Sequence, residues 1–302
     1  MGHNHTHSNE EGSGGRLLIT LLLNASITVA QIIGGIISGS LSLLADAVHN
    51  ASDAAAIGVS YLAQRISKKE ADRKRTFGYR RAETIGALIN LVTLVVISLY
   101  LIGHGVERFF NPQEVDGIVM LVVGAIAFVE DLISAMLLYR DSKHSLNIKS
   151  AFLHMVGDTL ATVAVIVGSL AIMFYDFYLI DPILTILISI YILAHSYGAL
   201  RDTIRVLMDS APEGLDYDAV VETMRGIDGV VDVHHVHIWK PDERRTALEA
   251  HVLVPDDTMT VVDGVKDLIK KALHDAYGIH HTTLEMECKP CAHPNDTVIP
   301  KE

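Results

Sequence analysis

The stretch LSLLADAVHNASDAAAIGVSYLA, residues 41–63, decides the fold. It is long enough for a helix to cross the ~30 Å hydrocarbon core of a bilayer. Yet it carries Asp46, His49 and Asp53. Ionisable side chains inside a membrane span are costly, and they mark function, usually with a partner. His49 and Asp53 stand four residues apart, so a helix presents them on one face. A second apolar run, residues 150–174, holds His154 and Asp158 at the same spacing. The sequence therefore predicts two membrane helices, each with one His-Asp pair, running antiparallel and facing each other.

Four more runs of similar length surround these two: residues 17–37, 82–102, 117–139 and 182–200. Half of the chain is hydrophobic and only 20% is charged, below the roughly 25% of a soluble domain. Gly and Ser recur inside the runs, as they do where membrane helices pack closely. Six transmembrane helices are expected. The first run follows a long polar segment and ends without a cleavage signature, so it reads as a retained helix. Eight Lys and Arg lie between Arg65 and Arg81, and Arg140, Lys143, Lys149, Arg201 and Arg205 follow on the same side. The alternate loops hold one, Arg108. By the positive-inside rule both termini are cytoplasmic.

Beyond Arg205 the texture changes. Residues 209–302 contain 19 acids against 9 Lys and Arg, which accounts for −10 of the chain's net charge of −12. Such an acid excess argues against nucleic acid as a partner. Helical spacing over 216–226 is followed by two alternating segments, 230–239 and 246–255. An amphipathic helix over 261–277 and a short strand over 282–288 complete the pattern. The order αββαβ suits a small ferredoxin-like α/β domain with its helices on one face of a sheet. The organisation expected is a His-containing tail over 1–15, a membrane domain over 16–205, a metal-binding domain over 206–292 and a tail over 293–302.

Two imidazoles and two carboxylates from the paired helices make a four-ligand, borderline-soft set, which suits Zn²⁺. The C-terminal domain adds His234, His235, His237 and His251, with Glu285, Glu287, Cys288 and Cys291. Strict alternation along 233–237 groups His235 with His237 and sets His234 apart. Cys288 and Cys291, the chain's two cysteines, have a chelating spacing. Free thiols fit a reducing cytoplasm, and two cysteines exclude a disulfide scaffold. They need further ligands, for which His3, His5 and His7 are candidates. The helices contain no His-Glu-x-x-His motif and no nucleophile with its base, so no enzyme is expected.

Residues 42–53, residues 77–83 (FGYRRAE) and residues 154–158 (HMVGD) resemble the signatures of the cation diffusion facilitators, a family of zinc-type metal/proton antiporters. The resemblance covers both the membrane core and the C-terminal domain. It implies a transport site of His49, Asp53, His154 and Asp158, and alternating access with export of Zn²⁺ against protons; Cd²⁺ and Co²⁺ are further possible cargo. It also implies a homodimer and a cytoplasmic metal site at His234, His251, Glu285 and Glu287. His at position 49 is similar to the zinc-selective members. The short 4–5 loop, with only His144, is similar to bacterial members, hence a location in the inner membrane. Arg81 and Asp209 resemble an interlocking pair between the base of helix three and the exit of helix six. The 2–3 loop has Arg75 and Tyr79 where many members have histidines, so the metal site of that loop is expected to be missing. A transporter of Mn²⁺ or Fe²⁺, or a membrane metal sensor without coupled transport, are the competing readings.

The remaining intramembrane polar groups leave alternatives open. Asp46 either relays protons, supports the site from behind, or caps helix two. Glu130 and Asp131 are expected to line a cavity, and the sequence does not say which faces inward. Asn24, Gln31 and Asn90 are expected to link helices. His104 and His195 are expected to be interfacial.

Overall fold

The computed structural model describes residues 10–67, 69, 71–142, 146–242, 245–255 and 259–288. They fall into two compact units, one within residues 10–60 and 89–200, the other within residues 61–88 and 201–288. Six long helices come first: α1 (Glu10–Ser38), α2 (Leu41–Ser67), α3 (Ala82–Phe110), α4 (Gly117–Ser142), α5 (Leu146–Tyr175) and α6 (Ile180–Leu207). Each extends past its expected apolar run. α1 begins within the segment read as a tail. Four of the helices, α3 to α6, contain stretches long and apolar enough to cross a membrane by themselves. α2 is the helix diluted by the polar groups quoted above.

In the first unit the helices bury Leu43, Leu94, Met120, Val165 and Ile192 among them. They expose Ile36, Val96, Ile126, Val167 and Leu187 on their other sides. Apolar outside as well as inside is the expected state of a bundle whose solvent is hydrocarbon, where the helix satisfies its own backbone. Small residues bring helices close: a Cβ on Gly168 would lie 2.5 Å from a Leu184 methyl, and one on Gly34 would lie 2.6 Å from a Val123 methyl.

The start of α2 is tied down by a neighbouring helix. Gly39 has φ +72°, a left-handed turn that lets the chain reverse after α1. Ser40 Oγ accepts the Leu43 N–H. Asp181, at the start of α6 and fully buried, accepts the N–H groups of Leu41 and Ser42 and the hydroxyls of Ser40 and Ser42. Arg108, near the end of α3, donates to the Gly39 carbonyl and lies 3.9 Å from Asp181. The orphan donors of a helix start are thereby satisfied in trans. Asp181→Ala is expected to cost about 2 kcal/mol or more, because several buried donors lose their acceptor. A thermal midpoint of the purified variant equal to that of the parent would refute this role.

The second unit carries α7 (Tyr217–Arg225), β1 (Asp232–Asp242), β2 (Arg245–Leu253), α8 (Met259–Tyr277) and β3 (His281–Glu287). This is the expected αββαβ order. The Asp216 side chain caps α7 by accepting from Asp218 and Ala219. The sheet order is β1-β2-β3, with β1 antiparallel and β3 parallel to β2. Val220 and Met224 of α7 and Val265, Ile269 and Leu273 of α8 pack on Val236, Leu248, Ala250 and Val252. The other face of the sheet is left for polar groups.

Strict alternation fails in β1. The register shifts between His234 and His237, and His235 has φ +56°. This bulge adds one residue to the strand. Val233, Val236 and Ile238 all enter the core, so His234 and His237 both fall on the opposite face. His234 is therefore not set apart from its neighbours as expected. The His235 ring lies 5.8 Å from that of His237 and stacks 4.7 Å from that of His251.

Candidate metal centres

α2 and α5 bring His49, Asp53, His154 and Asp158 together, with one ligand atom of each within 4.8 Å of all the others. The pairs cross between helices. His49 Nε2 lies 3.0 Å from Asp158 Oδ1, and His154 Nε2 lies 2.9 Å from Asp53 Oδ2. The pairs within each helix are longer: 3.9 Å for His49 and Asp53, 3.6 Å for His154 and Asp158. A tetrahedral ion with bonds of about 2.0–2.2 Å places its ligand atoms roughly 3.3 Å apart. The four distances straddle that value, so small shifts suffice to enclose a Zn²⁺-sized ion. His49 and Asp158 are buried, and Asp158 Oδ2 has no hydrogen bond among the described residues.

Two polar networks flank these four. Gln31 of α1 donates to Asp46 and accepts from Asn50. Asp46 thus faces α1 and does not cap α2, whose start is capped by Ser40 and Asp181. Asp131 of α4 is buried and accepts from the Thr162 hydroxyl, which also lies 3.0 Å from the Asp158 carbonyl oxygen. Glu130 is half-buried and accepts from Ser134 one turn along its own helix. Asp131 is therefore the one that faces α5. Asn90 links α3 to α2 through Ser52, and Asn24 accepts from Thr28 within α1.

α6 contributes what sequence reasoning missed. His195, expected to be interfacial, stacks on His154 with ring centroids 5.3 Å apart and planes 19° apart. Tyr191, one turn earlier, stacks on His195 and stands edge-on to His49 at 6.4 Å. The i,i+4 spacing of Tyr191 and His195 puts them on one helix face, but nothing in the sequence shows which face α6 turns inward.

A second cluster forms on the open face of the C-terminal sheet. His234, His251 and Glu287 offer ligand atoms within 4.8 Å of one another. Glu287 lies 2.6 Å from His251 Nδ1 and 3.4 Å from His234 Nε2. The register explains this: β1 sets His234 opposite His251, and the parallel β3 sets Glu285 beside His251. Glu285 is exposed, 3.5 Å from His251, and lies outside the tight group. Desolvation, reinforced by His251, His237 and His234, holds His235 below the usual imidazole range. Cys288 is a free, exposed thiol just beyond β3. Cys291, His3, His5 and His7 lie outside the described residues, as does His144.

Near the base of α3, Arg81 is hydrogen-bonded to Asp209, which has φ +51°. Arg80 lies 3.6 Å from Asp242. In the 2–3 loop Asp72 accepts from Lys74 N, Arg75 N and the Tyr79 hydroxyl, while Arg75 sits over the Tyr79 ring. Asp72 is thus engaged by protein donors.

Residues 17–208 match the model of the cation efflux transmembrane domain, and residues 212–289 that of the cation efflux protein cytoplasmic domain. The chain is 35% identical to the cadmium, cobalt and zinc/H(+)-K(+) antiporter of Bacillus subtilis strain 168, over 99% of this chain and 95% of that one. It is 35% identical to the zinc transporter ZitB of Escherichia coli K12, over 98% and 95%. It is 31% identical to the metal cation efflux system protein CzcD of Cupriavidus metallidurans, over 96% and 92%. Among solved structures, the metal-bound C-terminal domain of the CzcD transporter of that organism matches at 27% identity. That match covers 24% of this chain and all but 1% of the other, with a TM-score of 0.23. A six-helix membrane bundle joined to an αββαβ domain, matched in both parts by one family's models, makes this multi-pass membrane protein a member of the cation efflux family.

Proposed function

We propose that this chain exports Zn²⁺ from the cytoplasm in exchange for protons, by alternating access at His49, Asp53, His154 and Asp158. The observation that carries this reading is the convergence of two imidazoles and two carboxylates between α2 and α5, at separations that fit a tetrahedral ion. Two nitrogen donors favour Zn²⁺ over Mn²⁺, which prefers an all-oxygen site. The names of the relatives, zinc transporter and cadmium, cobalt and zinc/H(+)-K(+) antiporter, support the same substrate class and Cd²⁺ and Co²⁺ as further cargo. In the inward-facing state the imidazoles are neutral and bind the ion. The bundle then opens outward and protons displace it, because imidazole and carboxylate ligands must lose a proton to bind metal. Asp46 and Asp131 lie behind the site as carriers for protons on this route.

The distribution of Lys and Arg supports a cytoplasmic location of both termini, in a bacterial inner membrane. The C-terminal unit pairs two copies in a homodimer. His234, His251 and Glu287, joined by Glu285, Cys288 and Cys291, are the residues to hold a regulatory Zn²⁺ there. A charge of −10 over residues 209–302 repels a second copy, and a cation held at this face lowers the repulsion. Arg81 and Asp209 fasten the unit to the membrane-helix ends that belong to it.

Reconstitution into liposomes with a zinc dye and a pH dye inside tests the exchange. The expected result is proton movement opposite to, and dependent on, zinc movement. Zinc flux with no proton counterflow, over a range of imposed pH gradients, would contradict it.

A further inference from the structure

Among the described residues, the two imidazoles between α2 and α5 lack the device that usually fixes a metal-binding ring. In most such sites the second ring nitrogen donates to a carboxylate or carbonyl, which sets the tilt of the ring. Here Nε2 of each ring faces the carboxylates, and Nδ1 of His49 and of His154 has no hydrogen-bond partner among the described residues. A ring without that bond is free to rotate about χ2 unless packing stops it.

Packing from α6 does so. His195 lies nearly parallel to His154, and Tyr191 meets His49 edge-on while stacking on His195. The Tyr191 hydroxyl reaches over α5 at Gly157, the residue before Asp158, where a Cβ would lie 2.5 Å from that oxygen. A side chain at 157 would push the phenol out of this position. His195 supplies no atom to the four-ligand group.

We propose that Tyr191 and His195 form an aromatic shelf that orients His49 and His154, and that through it α6 sets the preference of the site for zinc over cadmium. The inference rests on the transport role given above to the four residues. Zn²⁺ takes bonds of about 2.0–2.1 Å from imidazole, whereas the larger Cd²⁺ takes longer ones. A shelf that holds the rings at the shorter spacing favours the smaller ion. Rings free to tilt accept either.

The test measures zinc and cadmium uptake by the full-length protein in liposomes. His195→Ala is expected to raise the zinc KM about 10-fold, the lower end of what outer-shell changes cost, with little change for cadmium. His195→Phe keeps a flat ring without a nitrogen and is expected to restore the zinc preference. If His195→Phe is as impaired as His195→Ala, His195 acts through its nitrogen and the shelf is wrong. A size-compensating pair gives an independent check. Gly157→Ala is expected to lose zinc preference, and Gly157→Ala with Tyr191→Phe to regain it, since the atom the new methyl meets is gone. Failure of that rescue also overturns the shelf. Asp158→Ala separates the two layers of the argument. Normal transport by Asp158→Ala removes the transport site and the shelf with it. An inactive Asp158→Ala beside α6 variants with unchanged zinc-to-cadmium ratios removes the shelf alone.

Discussion

Asp158→Ala is expected to lower zinc transport by at least about 100-fold while leaving the protein folded in the membrane. Asp158 is buried, and its Oδ1 is 3.0 Å from His49 Nε2. Its second oxygen is 3.6 Å from His154. It is thus a buried carboxylate that lies within 3.6 Å of both imidazoles. Its removal leaves three ligands and strands His49 beside Asp53 at 3.9 Å. Loss of an outer partner alone costs 10- to 100-fold in metal affinity, and loss of a direct ligand costs at least as much. The fold is expected to survive, because the loss of one hydrogen bond at His49 costs about 1–3 kcal/mol. Asp158→Asn keeps the shape and is expected to be nearly as inactive, which separates charge from packing. Zinc uptake by everted vesicles, normalised to protein inserted in the membrane, reads the result. A normal rate removes Asp158 from the site.

His251→Ala combined with Glu287→Gln is expected to abolish zinc binding at the C-terminal face while zinc transport stays within several-fold of the parent. The double change removes the residue at the centre of the cluster and the carboxylate that reaches both histidines. Both lie on the sheet face away from α7 and α8, so the apolar core of the unit is untouched. The binding measurement is made in full-length Asp158→Ala protein, so that the membrane site does not contribute. Zinc per chain is expected to fall by one equivalent. Unchanged stoichiometry assigns the ion elsewhere, with Glu285, Cys288 and Cys291 the next candidates. Complete loss of flux would make the C-terminal ion obligatory for transport.

The readable and unreadable parts of this molecule divide on physical grounds. The i,i+4 spacing in two apolar runs was enough to select the four side chains that α2 and α5 bring together, because a helix fixes that geometry locally. Crossed pairing was not readable, since it depends on how deep each helix sits. The strand and helix order of the C-terminal unit follows from its alternation and amphipathic period. The bulge at His235 breaks that period with no glycine or proline to announce it, and parity failed there. Asp181 sits where the sequence shows only a loop acid, and its role depends on the start of α2 arriving beside α6. Tyr191 reads as an ordinary residue of an apolar helix, and His195 as an interfacial one. Their contacts with His49, His154 and Gly157 exist only once the helices are packed.

The most direct measurement of the central account is X-ray absorption of zinc bound to full-length protein carrying His251→Ala and Glu287→Gln. The account predicts about one zinc per chain with a first shell of two imidazole nitrogens and two oxygens at about 2.0–2.1 Å, lost again when Asp158→Ala is added. A shell containing sulfur, a shell with fewer than two imidazoles, or zinc that persists after Asp158→Ala would contradict it.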